Sequence, residues 1–266
     1  MYTIQTLLFL LISITSCKTG KLNVITDLPN SLKEASAIET TSHSDLLWTI
    51  EDAGNKNNIY GLDLKGNIVK DIDISNSSNI DWEDLTSDNK GNLYIGDFGN
   101  NSKNRDDFTI YKISNLDDVE TKAERIRFNL PKEMNSEDFE SFFLLNDNFY
   151  IFSKENKSSV LLKVPNNIGK HTAELITEFK LKDKKAKITS ADVSEDGKTI
   201  VLLNHDKLWK ITNFKSDNFF EGDIEELDFK HDSQKEGVCF IDNKTVYITD
   251  EKNKGEGGNL YTFSVK

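Results

Sequence analysis

Residues 81–101 read DWEDLTSDNKGNLYIGDFGNN. An acid and apolar residues open the stretch, SDNKGN turns it, and the run NLYIGD ends on a second acid. Two β-rich runs joined by a short Gly/Asn/Asp turn form a β-hairpin. Glu83 stands at its start and Asp97 at its end, so antiparallel pairing sets both at one edge of a sheet. Versions of this hairpin recur along the chain, and the recurrence decides the fold.

Working outward, the counterparts of Glu83 are Glu34, Glu140, Asp192 and Glu236, at intervals of 49, 57, 52 and 44 residues. A period near 50 with four strand-like runs per unit predicts a β-propeller. The fifth unit has only three runs, at 237–241, 246–249 and 260–265. The unpartnered run 22–26 can supply the fourth, which would join the two chain ends and remove an exposed sheet edge. The expectation is an all-β, five-bladed propeller in one domain over residues 22–266, with six blades as the alternative.

The 266-residue chain has a net charge of −12. That sign disfavours nucleic-acid phosphate and anionic membrane surfaces as partners and is compatible with cations. At the N-terminus, the apolar run 7–14 is too short to span a bilayer and fits the core of a signal peptide over residues 1–16. The sequence Ile14-Thr15-Ser16-Cys17 resembles the lipobox of bacterial lipoproteins, although no Lys or Arg precedes the apolar run. The resemblance implies that Cys17 carries lipid, that residues 17–21 form a tether, and that the protein sits extracytoplasmically in the bacterial cell envelope. Its only membrane contact would be that anchor, and a monomer is expected. Cys239 then stands alone in an apolar run, so no disulfide framework exists and the thiol reads as a small buried hydrophobe.

In a propeller the first strand of each blade lines the central channel, and the second returns to the same face. The inner ring is therefore expected at Glu34, Glu83, Glu140, Asp192 and Glu236. Side chains alternate with period two, so Ser36 is open as an alternative to Glu34, and Ser190 to Asp192. Asp97 follows Glu83 by 14 residues, and Asp250 follows Glu236 by the same step. The repeated step predicts an outer rim of Glu51, Asp52, Asp97, Asn100, Lys154, His205, Asp206, Asp250 and Glu251. Arg105 is a further candidate for contact with an anion. Trp48 and Trp82 adjoin ring positions, either packing between blades or stacking a ligand.

Carboxylates about 4 Å apart repel by roughly 4 kcal/mol at an effective dielectric near 20. A bound cation, protonation, or pairing with Lys33, Lys154 or Lys235 would relieve this. Oxygen-only donors suit Ca²⁺ better than Zn²⁺. No P-loop, GxSxG, HExxH or CxxC pattern is present, so nucleophilic and zinc chemistry lack support.

The motifs DWEDLT…YIGDFGNN, DFESF, ITSADVS and QKEGVCF…YITDE resemble a family of uncharacterised bacterial propeller proteins, often secreted or lipid-anchored. More distantly, the chain is similar to the secreted calcium-dependent nucleotidases, the apyrases. That likeness implies five blades and a central calcium held by Ser36, Glu83, Glu140, Ser190 and Glu236. The apyrases also carry an acid-acid-arginine cluster after the first hairpin. This chain has Glu51-Asp52-Ala53 there, so the likeness covers the calcium site and stops short of that cluster. Two functions follow as expectations. One is a Ca²⁺-dependent module that binds or scaffolds a small-molecule or protein ligand. The other is a Ca²⁺-dependent hydrolase of phosphate esters, phosphate anhydrides or lactones. In it, Asp97 or Asp250 would be the general base and Lys154 or His205 would stabilise developing charge.

Overall fold

The β-rich runs fold into five mainly antiparallel sheets in the computed structural model, which describes residues 19–155, 158–182, 186–253 and 255–266. The signal-peptide assignment and Cys17 lie outside the described residues. Each sheet is one blade. Its innermost strand is Glu39–Thr41, Trp82–Ser87, Phe139–Leu145, Ser190–Val193 or Lys235–Asp242 in blades one to five. In blade one the inner run is reduced to a lone bridge between Ala35 and Glu51 followed by the short strand.

Consecutive inner strands touch, and the fifth touches the first, so the ring is closed. The strand Asn23–Asp27 pairs antiparallel with the last strand, Asn259–Ser264. The fifth blade is thus completed from the opposite end of the chain, as the sequence implied. Ahead of it, Lys21 N donates to Phe229 O at 2.7 Å, so residues 19–21 lie against the fourth blade.

The core explains why five sheets form one body. Among the described residues there are five apolar clusters, one in each gap between neighbouring blades. Strand alternation feeds both sides. Phe142, Phe149 and Ile151 face blade two, whereas Phe143, Tyr150 and Phe152 face blade four. Every sheet is therefore buried on both faces, which a two-layer sandwich does not allow. Trp48 and Trp82 are both buried between blades one and two, so they pack and do not meet a ligand. Cys239 is fully buried, and burial pushes its thiol well above the usual range.

Two strands escaped the repeat pattern. Glu120–Thr121 returns to pair in parallel with the outer strand of blade one, Ile68–Ile74. Gly169–Thr172 does the same on the outer strand of blade two, Glu124–Asn129. Each is an excursion of the following blade and straps two blades together. Among the described residues no helix is long and apolar enough to cross a membrane.

Candidate functional site

At one mouth of the channel the hairpin register slips in three blades. Trp82 pairs with Asp97, but the next pair is Asp84 with Gly96. Phe139–Ser153 is followed by Ser141–Phe152, and Lys235–Asp250 by Gly237–Thr249. The residues skipped are Glu83, Glu140 and Glu236. A bulge re-aims a side chain that ordinary alternation would turn elsewhere, and here it sends three carboxyls into the mouth while each stays buried.

Hydrogen bonds between blades align the other two. Phe142 N donates to Asp84 Oδ2 at 3.2 Å, and Val238 N donates to Ser190 Oγ at 3.1 Å. Ser190 is therefore the counterpart of Asp84, and Thr189 the counterpart of Glu83. Thr189 Oγ1 donates to Lys235 O at 2.7 Å, and Ser36 Oγ stands in the same relation to Trp82 O at 3.4 Å. The ring at the mouth is Ser36, Glu83, Glu140, Thr189 and Glu236. Ser190 sits one step below it. Asp192 is deeper still, accepting from Phe240 N at 2.6 Å and Val193 N at 2.7 Å.

The ring is electrostatically unfinished. Glu83 and Glu140, both buried, lie close enough to perturb one another's ionisation. Burial, then the charge of Glu140, pushes Glu83 well above its usual range. Burial raises Glu140 to about 7 against the pull of Lys154, whose Nζ lies 2.8 Å from Glu140 Oε2. Asp81 joins the group: single oxygens of Asp52, Asp81 and Glu83 lie within 4.8 Å of one another. Burial, reinforced by Asp52, raises Asp81 to about 6. Burial, reinforced by Glu236, Asp52 and Glu34, raises Glu251 to about 8. Burial opposes the charge on Lys154, but Glu140, Glu236 and Glu83 together hold its pKa above the ordinary value. His205 Nε2 lies 3.3 Å from Glu236 Oε1, and Glu34 accepts from Asn55 Nδ2 at 2.7 Å at the edge of the group.

The predicted rim divides by strand alternation. Glu51, Asp97 and Asp250 end the second strands and turn back into their own blades. Asp250 accepts from Ser233 Oγ at 2.6 Å, Asn259 N at 2.8 Å and Tyr261 Oη at 2.8 Å. Asp97 accepts from Arg105 Nη2 at 3.2 Å and Asp81 N at 3.1 Å. Glu51 accepts from Tyr60 Oη at 3.4 Å. The residues that follow such positions, Asp52, Lys154, His205 and Glu251, face the mouth instead. Arg105 is spent on Asp97 and on Gly99 O, at 2.8 Å, and Asn100 clasps its own loop to Ser136 and Glu137. Asp206 lies beside Lys235, whose Nζ is buried and donates to His205 O at 2.7 Å and Ser233 Oγ at 3.0 Å. Lys235 therefore does not neutralise the ring.

Below the mouth, Asp84 closes the channel. Its carboxylate accepts from Ser190 Oγ, Leu85 N, Phe142 N and Ala191 N at 3.0–3.3 Å, spanning blades two, three and four. Beneath it, Glu39 and Asp192 line a cavity of about 610 Å³ that opens on the opposite face. Asp81, Asp84, Thr189 and Glu39 escaped the sequence reading. The signal for the first two was present in DWED, where three acids fall within four residues and period-two alternation accounts for only two of them on one face.

No protein-family model matches the chain, and no curated protein matches it. Solved structures do. The PQQ-bound aldose sugar dehydrogenase from Streptomyces coelicolor is 9% identical, with a TM-score of 0.53 over 92% of this chain and 98% of that one. The glutaminyl cyclase of Myxococcus xanthus is 10% identical, with a TM-score of 0.53 over 92% and 97%. Hydrazine synthase of Kuenenia stuttgartiensis is 12% identical at a TM-score of 0.47, and this chain spans 65% of that chain's length. At such identities the first two likenesses concern the fold alone.

Proposed function

We propose that the protein is a lipid-anchored, extracytoplasmic propeller module that binds an anionic ligand through a Ca²⁺ ion held at the acidic mouth. The observation that carries this is the crowding of buried acids at the mouth: oxygens of Asp52, Asp81 and Glu83 lie within 4.8 Å of one another beside buried Glu140 and Glu236, a density of carboxyls that protons or a cation would relieve. The donor set fits. Ser36, Glu83, Glu140, Thr189 and Glu236 offer only oxygen, and Asp52 and Asp81 add more within reach, as a hard ion with six to eight ligands demands. Ser36 and Thr189 donate their hydroxyl protons to carbonyls, which leaves lone pairs for a cation. Lys154, beside the ring, would meet the negative group of the ligand.

A hydrolytic reading, for phosphate esters, phosphate anhydrides or lactones, needs a base at the mouth. Asp97 and Asp250 are committed within their blades, but Asp81 near 6 and Glu251 near 8 titrate where general bases work. Calorimetric titration with Ca²⁺ after chelation tests the metal site. The expected result is saturable binding, weakened at least about tenfold by Glu83→Gln/Glu236→Gln. Equal response of both proteins would overturn the reading. Phosphate release from nucleoside di- and triphosphates in the presence of Ca²⁺ would move the assignment from module to hydrolase.

A further inference from the structure

The chain holds 45 acids against 33 Lys and Arg, so an unpaired cluster of cations is not what chance supplies. One exists at the outer rim of blade two. Arg125, Arg127 and Lys170 line a cavity of about 410 Å³ together with Asn76 and Gly169. Arg125 and Arg127 are two apart on the strand Glu124–Asn129 and share a face. Arg127 is the register partner of Lys170 on the added parallel strand. Among the described residues, none of the three has a carboxylate within 4 Å. The neighbouring acid Glu124 is held by Lys112 at 3.4 Å.

Arg125 is pre-positioned. Its guanidinium lies over the Tyr111 ring at 5.9 Å, and its Nη2 donates to Asn76 O. Asn76 is itself fixed by two hydrogen bonds to the backbone of Ala123, at 2.9 and 2.8 Å. The Nε of Arg125 is buried and has no partner, and a buried donor of that kind calls for an acceptor. Gly169, at φ +136°, has open space where a side chain would begin, so the approach is clear.

We propose that this pocket binds a phosphate-type oxyanion, the phosphoryl or sulfuryl group of a small solute. A planar guanidinium fork matches such a group, and two further cations on adjoining strands complete the cradle. A phosphoryl group can also arrive on a lipid head. The surrounding field of a strongly acidic chain opposes a flat anionic bilayer, which favours the free solute. The pocket is at the outermost strands of the blade, whereas the mouth is built on the innermost, so the two sites are separate.

The test is calorimetric titration of the full chain with inorganic pyrophosphate in the presence of chelator, so that no cation at the mouth contributes. Arg127 and Lys170 are exposed, so Arg127→Glu/Lys170→Glu is expected to keep the wild-type melting temperature. The expected result is 1:1 saturable binding, weakened about tenfold or more by that double variant and likewise by Arg125→Gln. Glu83→Gln/Glu236→Gln is expected to bind pyrophosphate as the wild type does. Absence of saturable binding, or equal binding by the Arg127/Lys170 variant, would overturn the site. Retention on phosphatidylglycerol but not phosphatidylcholine vesicles, lost in the double variant and without pyrophosphate binding, would overturn the free-solute assignment in favour of a lipid head group.

Discussion

Replacing Glu140 by Gln measures the electrostatic cost built into the mouth. In the folded chain this carboxyl is raised from 4.5 to about 7, first by burial. A rise of that size corresponds to about 3 kcal/mol between the two protonation states. The folded value lies above the unfolded one, so the folded chain holds the proton more tightly. The associated stability is complete below pH 4.5 and is lost as pH rises through 7. For a domain of this size 1 kcal/mol moves the melting temperature by about 2–4 °C, so the term is worth roughly 6–12 °C. Gln cannot ionise and carries no such term. In chelator, the fall in melting temperature between pH 5 and pH 8.5 should be smaller in Glu140→Gln than in the wild type by about that amount. At pH 8.5, Ca²⁺ should restore the wild type and do much less for the variant. Thermal denaturation followed by circular dichroism, at two pH values with and without Ca²⁺, reads all four states. Parallel pH dependence of the two proteins, or a wild type more stable at alkaline pH without metal, would show that the ring is not under strain of this kind.

Further outcomes follow from the same geometry. Ca²⁺ should displace protons from Asp81, Glu140 and Glu251, which titrate near 6, 7 and 8. Apparent affinity should therefore climb with pH across that window, and calorimetry in buffers of different ionisation enthalpy should detect the released protons. Asp84→Ala strands four donors in the channel and should cost at least about 3 kcal/mol in urea denaturation. Tyr261→Phe removes a donor from the buried Asp250 and should cost about 1–3 kcal/mol while leaving Ca²⁺ affinity unchanged, since Asp250 faces away from the mouth. Gly237→Ala would bring a Cβ within 2.7 Å of the Ala37 and Ile38 backbone and should cost about 1–3 kcal/mol by pushing blades one and five apart.

Period and closure were legible because they rest on signals that repeat. Turns rich in Gly, Asn and Asp recur, and the three-run final unit needs a partner that only the run near residue 22 can supply. The acids that crowd the mouth were legible as a set, but their levels were not. Counting along a strand in steps of two is sound for a regular ladder and fails at a bulge. Counted so, Asp192 or Ser190 falls opposite Glu236, whereas Thr189 occupies the equivalent place. The 14-residue step that puts Asp97 and Asp250 on the rim counts positions along the chain and does not tell which way each side chain turns. They end on the side of the strand that faces its own blade, where Tyr261 and Arg105 meet them. The straps Glu120–Thr121 and Gly169–Thr172 left no mark in the pattern, because a short parallel pair at a sheet edge demands no alternation.

The bulge also explains how Glu83 and Asp84 can be adjacent and both acidic. Strict alternation would turn one of them toward the apolar gap between blades, where an unpaired charge costs several kcal/mol. The extra residue lets Glu83 reach the mouth while Asp84 enters the channel below it. Room for Asp84 comes from its counterparts, which are small: Ala37, Ser141, Ser190 and Gly237. With four of five positions vacated, one carboxylate crosses the axis and is held by donors from blades three and four. That crossing separates the acidic mouth from the cavity lined by Glu39 and Asp192. The mouth is consequently a blind cup and not a pore. A ligand drawn to a cation there must enter and leave by the same face, past Asp52, Lys154, His205 and Glu251.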